Sequence, residues 1–327
     1  MNWLMVGAAA VLAIAIVAGL MAGRLSGLRP IPANHGRASE RCASRPTDLS
    51  NRFARVHGCI TFSDGTQIVA VDPYHPANNS VLGPSNGQLP ITWSRDGRRL
   101  LLGSTRDLYV MNADGSEVQL THGDAGVSQG GSFSPDGTEV VYVGYRPSTY
   151  GLYVVEVTGR APRLIAASTS CSTLGPCSGD FLAYPAWSPD GSRIAYADYY
   201  QGPTSNSGTD EIWTVKSDGT DKRQLLDLGR CGPNQASGCT NGLAWSPDGS
   251  QLAFHSAGGI YIVHADGSGL HRISKDGGQP SWSPDGSRIA FTRGGELFTM
   301  ATDGGDMTLL KGVVPVPNYA WAWNPAG

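Results

Sequence analysis

Six cysteines carry the most specific chemistry in this 327-residue chain. They fall as sequence-local pairs, Cys42 with Cys59, Cys171 with Cys177 and Cys231 with Cys239, and the last two pairs lie in stretches that interrupt an otherwise regular pattern. That arrangement suits disulfides that staple loops, and so an oxidising compartment. Metal binding is the competing use of cysteine. No pair has C-x-x-C spacing, and His122, His255, His264 and His271 are scattered singly, so no metal is expected.

Gly83-Pro84-Ser85-Asn86-Gly87 matches G-x-S-x-G. A nucleophile elbow needs a strand-to-helix turn in an α/β sheet, whereas this pentapeptide sits between two predicted strands, and no catalytic residue is assigned. The remaining candidates for acid–base or charge-stabilising work are Arg106, Asp198, His255 and Arg293, each near the end of a predicted strand.

Another set suits recognition. Tyr145, Arg146, Tyr150, Phe181, Tyr199, Tyr200 and Asn206 lie in the long stretches 144–150, 166–183 and 198–210, and a fourth long stretch, 227–240, follows. Tyr, Arg and Asn make contacts at low entropic cost, and function concentrates on loops held by a rigid scaffold.

The scaffold is written in a repeat. Trp187-Ser188-Pro189-Asp190-Gly191 recurs at Trp93 to Gly97, Phe133 to Gly137, Trp245 to Gly249 and Trp282 to Gly286, with a worn copy from Trp323 to Gly327. Pro fixes φ for the second position of a type I turn, Asp tolerates the third, and Gly supplies the positive φ that follows. A short β-rich run such as Arg193-Ile194-Ala195-Tyr196 comes next, then a third run such as Ile212-Trp213-Thr214-Val215, then in most copies an Asp-Gly turn and a short fourth strand. Four short antiparallel strands at a period of roughly forty residues predict propeller blades. The motif aromatics are read as packing between sheets and the turn aspartates as bonding their own backbone, with no calcium site.

The repeat resembles the PD40, or TolB-like, class of propeller blade from residue 58 onward. The fold expected is an all-β, six-bladed β-propeller of four-stranded antiparallel blades. Full TolB proteins carry an α/β domain before the propeller; thirty-odd residues between the apolar head and the repeats do not hold one, so a Tol-system role does not transfer with the resemblance. The first blade lacks the opening motif, and Tyr319 to Trp323 supplies its missing strand, so the C-terminus is expected to close the ring. In such a blade the first and third turns open on one face of the disc. The second turn and the interblade connection open on the other, and all the long stretches fall there.

Three segments are expected: 1–23 as a transmembrane helix or signal peptide, 24–57 as a flexible tether and 58–327 as the propeller. The run from Trp3 to Gly23 is uncharged and long enough to span a bilayer, so an uncleaved anchor is favoured over a signal peptide cut near Ala22. Arg24, Arg29, Arg37, Arg41 and Arg45 follow it, which by the positive-inside tendency would hold the domain in the cytoplasm. The cysteines argue for an extracytoplasmic domain and are given more weight. A net charge of −3 leaves no basic footprint for nucleic acid. The expectation is a monomeric, membrane-tethered, periplasmic or cell-surface binding module for an envelope protein or glycan, without cofactor. The alternatives are secretion after cleavage, and a propeller lyase or hydrolase whose residues converge at the channel mouth.

Overall fold

The computed structural model describes residues 58–324, except 74, 76–77, 105, 124–129, 147–148, 169–179, 201–207, 230–238 and 311–320, together with Cys42, Phe53 and Val56. Among the described residues every regular element is a strand, and the strands form six four-stranded antiparallel sheets. Blade 1 contains β1 (Ile60–Ser63), β2 (Gln67–Val71) and β3 (Asn79–Pro84). Blade 2 runs β4 (Leu89–Trp93), β5 (Arg99–Gly103), β6 (Leu108–Asn112) and β7 (Glu117–Gln119). Blade 3 runs β8 (Gly131–Phe133), β9 (Glu139–Arg146), β10 (Thr149–Glu156) and β11 (Arg163–Ala167). In blade 4 they are β12 (Asp180–Trp187), β13 (Arg193–Tyr200), β14 (Thr209–Lys216) and β15 (Arg223–Asp227). Blade 5 has β16 (Asn241–Trp245), β17 (Gln251–Ser256), β18 (Gly259–His264) and β19 (His271–Ser274). Blade 6 has β20 (Gly278–Trp282), β21 (Arg288–Arg293), β22 (Glu296–Ala301) and β23 (Thr308–Leu309), and β24 (Trp321–Trp323) follows.

The motif builds the first hairpin of blades 2 to 6 through one repeated set of bonds. In blade 4 the Ser188 hydroxyl donates to Asp190 Oδ1 at 2.6 Å and accepts from the Arg193 N–H at 3.0 Å, while Asp190 Oδ1 also accepts the Ser192 N–H. Gly191 follows at φ 76°, a backbone conformation that a side chain resists. The carboxylate is thus held by donors, and those bonds lower the pKa of Asp136, Asp190 and Asp248, the last to about 2.

The motif aromatics stitch sheet to sheet, as expected. Trp245 Nε1 donates to the Ala186 carbonyl of the preceding blade and Trp282 Nε1 to that of Ala244, at 3.1 and 3.0 Å. Behind them lie apolar clusters such as Ile262, Trp282, Ile289 and Phe291 between blades 5 and 6. Burying these side chains, at about 25 cal/mol per Å² of apolar surface, is what holds one blade against the next.

The ring closes as the sequence predicts. β24 pairs antiparallel with β1, Ile60 opposite Trp323 and Phe62 opposite Trp321, so blade 1 is assembled from both ends of the propeller. Thr61 Oγ1 adds a bond to the Ala322 carbonyl, and the inner strands β4, β8, β12, β16, β20 and β24 each lie against their neighbours around the channel.

One boundary differs from expectation. Cys42, Phe53 and Val56, placed in the flexible tether over 24–57, are at most 2% exposed and pack with Trp93, Leu100 and Leu102 between blades 1 and 2. Phe53 meets Trp93 edge to face at 4.8 Å, and Cys42 is disulfide-bonded to Cys59 as read from the sequence. These three residues are thus part of the packed propeller and not of a tether. The expected helix over 1–23 lies outside the described residues, as do Cys171, Cys177, Cys231 and Asn206; Cys239 is disulfide-bonded. No helix among the described residues is long and apolar enough to cross a membrane.

Candidate functional site

A channel of about 1280 Å³ runs down the ring axis, lined by the inner strands and by the motif turns at one end. Its walls are mainly Gly, Ala, Ser, Pro and aromatic residues, and among the described lining residues the charged ones are Arg95 and Asp96, both in the turn of blade 2. The four residues proposed as chemical candidates do not converge there. Arg106 reaches the Gly123 carbonyl, Asp198 pairs with Lys222 at 3.6 Å, and Arg293 pairs with Asp276 at 3.0 Å. His255 is 4% exposed in blade 5, its pKa lowered by burial. Ser85 is buried too, and its N–H bonds the Thr66 carbonyl just beyond the β2–β3 ladder, at the end away from their connection; this is not an elbow presenting a nucleophile. No cluster of three metal-ligating side chains occurs among the described residues.

The recognition residues lie where the topology puts the long connections, but six of the seven are on strands and not on loops. β9, β10, β12, β13 and β14 each run eight residues, so they carry the hairpins of blades 3 and 4 outward from the disc. Tyr145 pairs with Tyr150 and Arg146 with Thr149 across β9–β10; Phe181 pairs with Tyr199 across β12–β13, and Tyr200 with Thr209 across β13–β14. Cross-strand aromatic pairs favour the continued ladder over a loop, which is why the segments extend the sheet.

Three of these residues form one row across two blades. Tyr150 lies edge-on to Phe181 at 6.5 Å and donates its hydroxyl to the Leu182 carbonyl at 2.8 Å. Phe181 stacks on Tyr199 at 5.5 Å with the ring planes 17° apart. Tyr199 continues into the core between blades 4 and 5, where burial, and then Tyr184 and Asp210, push its pKa up to about 12. Tyr145, opposite Tyr150 in the ladder, and Tyr200, next to Tyr199, are partly exposed; Arg146 is partly exposed too but lies on the other face of blade 3, where its Nε donates to the Tyr142 hydroxyl at 3.2 Å.

Next to the row is a polar knot that the sequence reading did not anticipate. Asp210, at the start of β14, is 1% exposed. Its Oδ2 accepts the Thr240 N–H and hydroxyl, each at 2.9 Å, and the Ser256 hydroxyl at 3.2 Å, tying blade 4 to blade 5. Its Oδ1 is buried without a partner, and burial raises the pKa to about 6 despite those donors. A signal did exist: alternation from Thr214 and Ile212 carries inward to Asp210.

The inner strands bulge at this same end. Tyr184 and Gln279 take φ 52° although neither is glycine, and each packs against a glycine of the blade before it, Gly130 and Gly242 respectively. A Cβ on Gly242 would lie 2.7 Å from Gln279 Cα, so the glycine is what lets these two backbones meet.

Residues 177–314 match the family model described as the PD40 TolB beta propeller domain. An uncharacterized protein of Agrobacterium fabrum is 29% identical over 171 residues, which are 50% of this chain and 52% of that protein. The Tol-Pal system protein TolB of Anaeromyxobacter dehalogenans is 35% identical over 100 residues, 29% of this chain and 19% of that protein. The chain therefore spans about half or less of the length of these curated relatives. TolB from Acinetobacter baumannii shares the fold with a TM-score of 0.61 at 17% identity, over 82% of this chain and 66% of that one. A putative TolB from Agrobacterium tumefaciens does so with a TM-score of 0.55 at 23% identity, over 77% and 87%. The match to the PD40 model is thus by sequence over residues 177–314, and what all six blades share with the solved structures is the propeller fold.

Proposed function

We propose that the protein is a non-catalytic binding module of the cell envelope, tethered through residues 1–23 and holding an envelope protein or glycan against the outer ends of blades 3 and 4. The observation that carries this reading is the row from Tyr150 through Phe181 to Tyr199. Aromatic side chains pre-set by stacking, with Tyr145 and Tyr200 next to them and Arg146 at the end of the same hairpin, have the composition of interface hot spots, and strand-borne residues lose little entropy on binding. The opposite face offers short motif turns whose Ser and Asp side chains are spent on one another and on their own backbone.

An extracytoplasmic site is supported by the Cys42–Cys59 disulfide, which a reducing cytosol would not maintain. One relative is by name part of the Tol-Pal system, which supports a partner of the envelope class. The test is affinity capture from solubilised envelope and from purified envelope glycan with the parent, Tyr145→Ser/Tyr200→Ser and Asp114→Ser. Loss in the tyrosine variant alone supports the reading; loss in the Asp114 variant alone moves the site to the other face.

A further inference from the structure

The motif turns crowd one mouth of the channel. In blades 3 to 6 the second turn position is proline, at Pro135, Pro189, Pro247 and Pro284. Pro135 sits against Gly191 of the next blade, Pro189 against Gly249 and Pro247 against Gly286, forming a packed collar. Blade 2 breaks it, because Arg95 stands at the proline position. The place such a proline would take beside Gly137 is filled by Arg99, whose Nη1 donates to the Gly137 carbonyl at 2.8 Å.

Arg95 is therefore released from the collar and reaches over the mouth to blade 4, where its Nη1 donates to the Pro189 carbonyl at 2.8 Å. Among the described residues that neutral carbonyl is its polar partner. The neighbouring carboxylate, Asp96, is taken up by the Ser94 hydroxyl and the Arg98 N–H. An exposed guanidinium thus stands at the end of a channel whose wall includes Ile91, Ala186, Leu243 and Ala244. The unused edge of a guanidinium donates two parallel N–H bonds to a carboxylate.

We propose that this mouth is a carboxylate-binding site, in which Arg95 receives the carboxylate of a ligand whose apolar body enters the channel. The site is on the face opposite the aromatic row and stands whether or not that row binds a partner.

The experiment is a titration of the full chain, followed by tryptophan fluorescence, with 3-phenylpropionate and with 3-phenylpropionamide. The acid binds the parent and binds Arg95→Met roughly tenfold or more weakly, Arg95→Lys falls between, and the amide is indifferent to all three. Thermal melting of the variants matches the parent, because Arg95 is exposed. A peptide ending in Phe, as free acid and as amide, separates a protein C-terminus from a free small acid as the source. Equal binding of acid and amide, undiminished binding of the acid to Arg95→Met, or no saturable response to either acid overturns the proposal.

Discussion

Ile60 and Trp323 face each other across one ladder although nearly the whole propeller lies between them in sequence, and that pairing makes blade 1. Deleting residues 321–327 removes the inner strand of blade 1 and the Trp323 Nε1 bond to the Gly58 carbonyl. The truncated protein should lose cooperative melting and bind a hydrophobic dye. A truncated protein that melts cooperatively at the parent temperature would show the ring closes some other way.

Asp210 gives a pH dependence of definite sign. Its folded pKa of about 6 lies above the ordinary 3.8, so the folded state holds the proton more tightly. Stability from this group is full below pH 4 and falls as pH rises through 6. Asp210→Asn should therefore be more stable than the parent at pH 7, by on the order of 2 kcal/mol, and similar to it at pH 4. His255, held low by burial, contributes the opposite slope over part of this window, so the difference between variant and parent is the diagnostic quantity. Denaturant melts at the two pH values measure it. A variant that is less stable than the parent at pH 7 contradicts the assignment.

The turn aspartates act lower on the scale. Their folded pKa values lie below 3.8, so their stabilisation is present above pH 4 and is lost as pH falls toward about 2. Asp248→Asn should flatten acid unfolding below pH 4 and leave the profile above pH 5 unchanged.

The Cys42–Cys59 disulfide closes a loop across a sequence separation of 17 and fastens the segment that carries Phe53 and Val56. Cys42→Ser/Cys59→Ser should cost about 3 kcal/mol in urea unfolding. A loss near zero would mean that the packing of Phe53 on Trp93 suffices by itself.

The repeat made the blades legible, because each motif encodes its own turn chemistry: the Ser94–Asp96 and Ser283–Asp285 pairs are the same local device at distant positions. Ring closure was readable for the same reason, through the worn copy at Trp323. The aromatic set was found, but its setting was misjudged, since Phe181 and Tyr199 pair across strands that a local reading ends too early. Asp210 was missed because its buried carboxylate is held by three donors on two residues of the next blade, and no local pattern names Thr240 and Ser256. The burial of Phe53 likewise depends on Trp93, which only the packing of blade 2 against blade 1 brings beside it.

The most direct test of the binding face is photo-crosslinking in intact envelopes, with a photoreactive amino acid placed at Tyr200 in one protein and at Asp114 in another. Both positions are partly or fully exposed, and they lie on opposite faces of the disc. The account predicts a discrete cross-linked species from position 200 and none from position 114. Cross-links from position 114 with none from position 200 would contradict it.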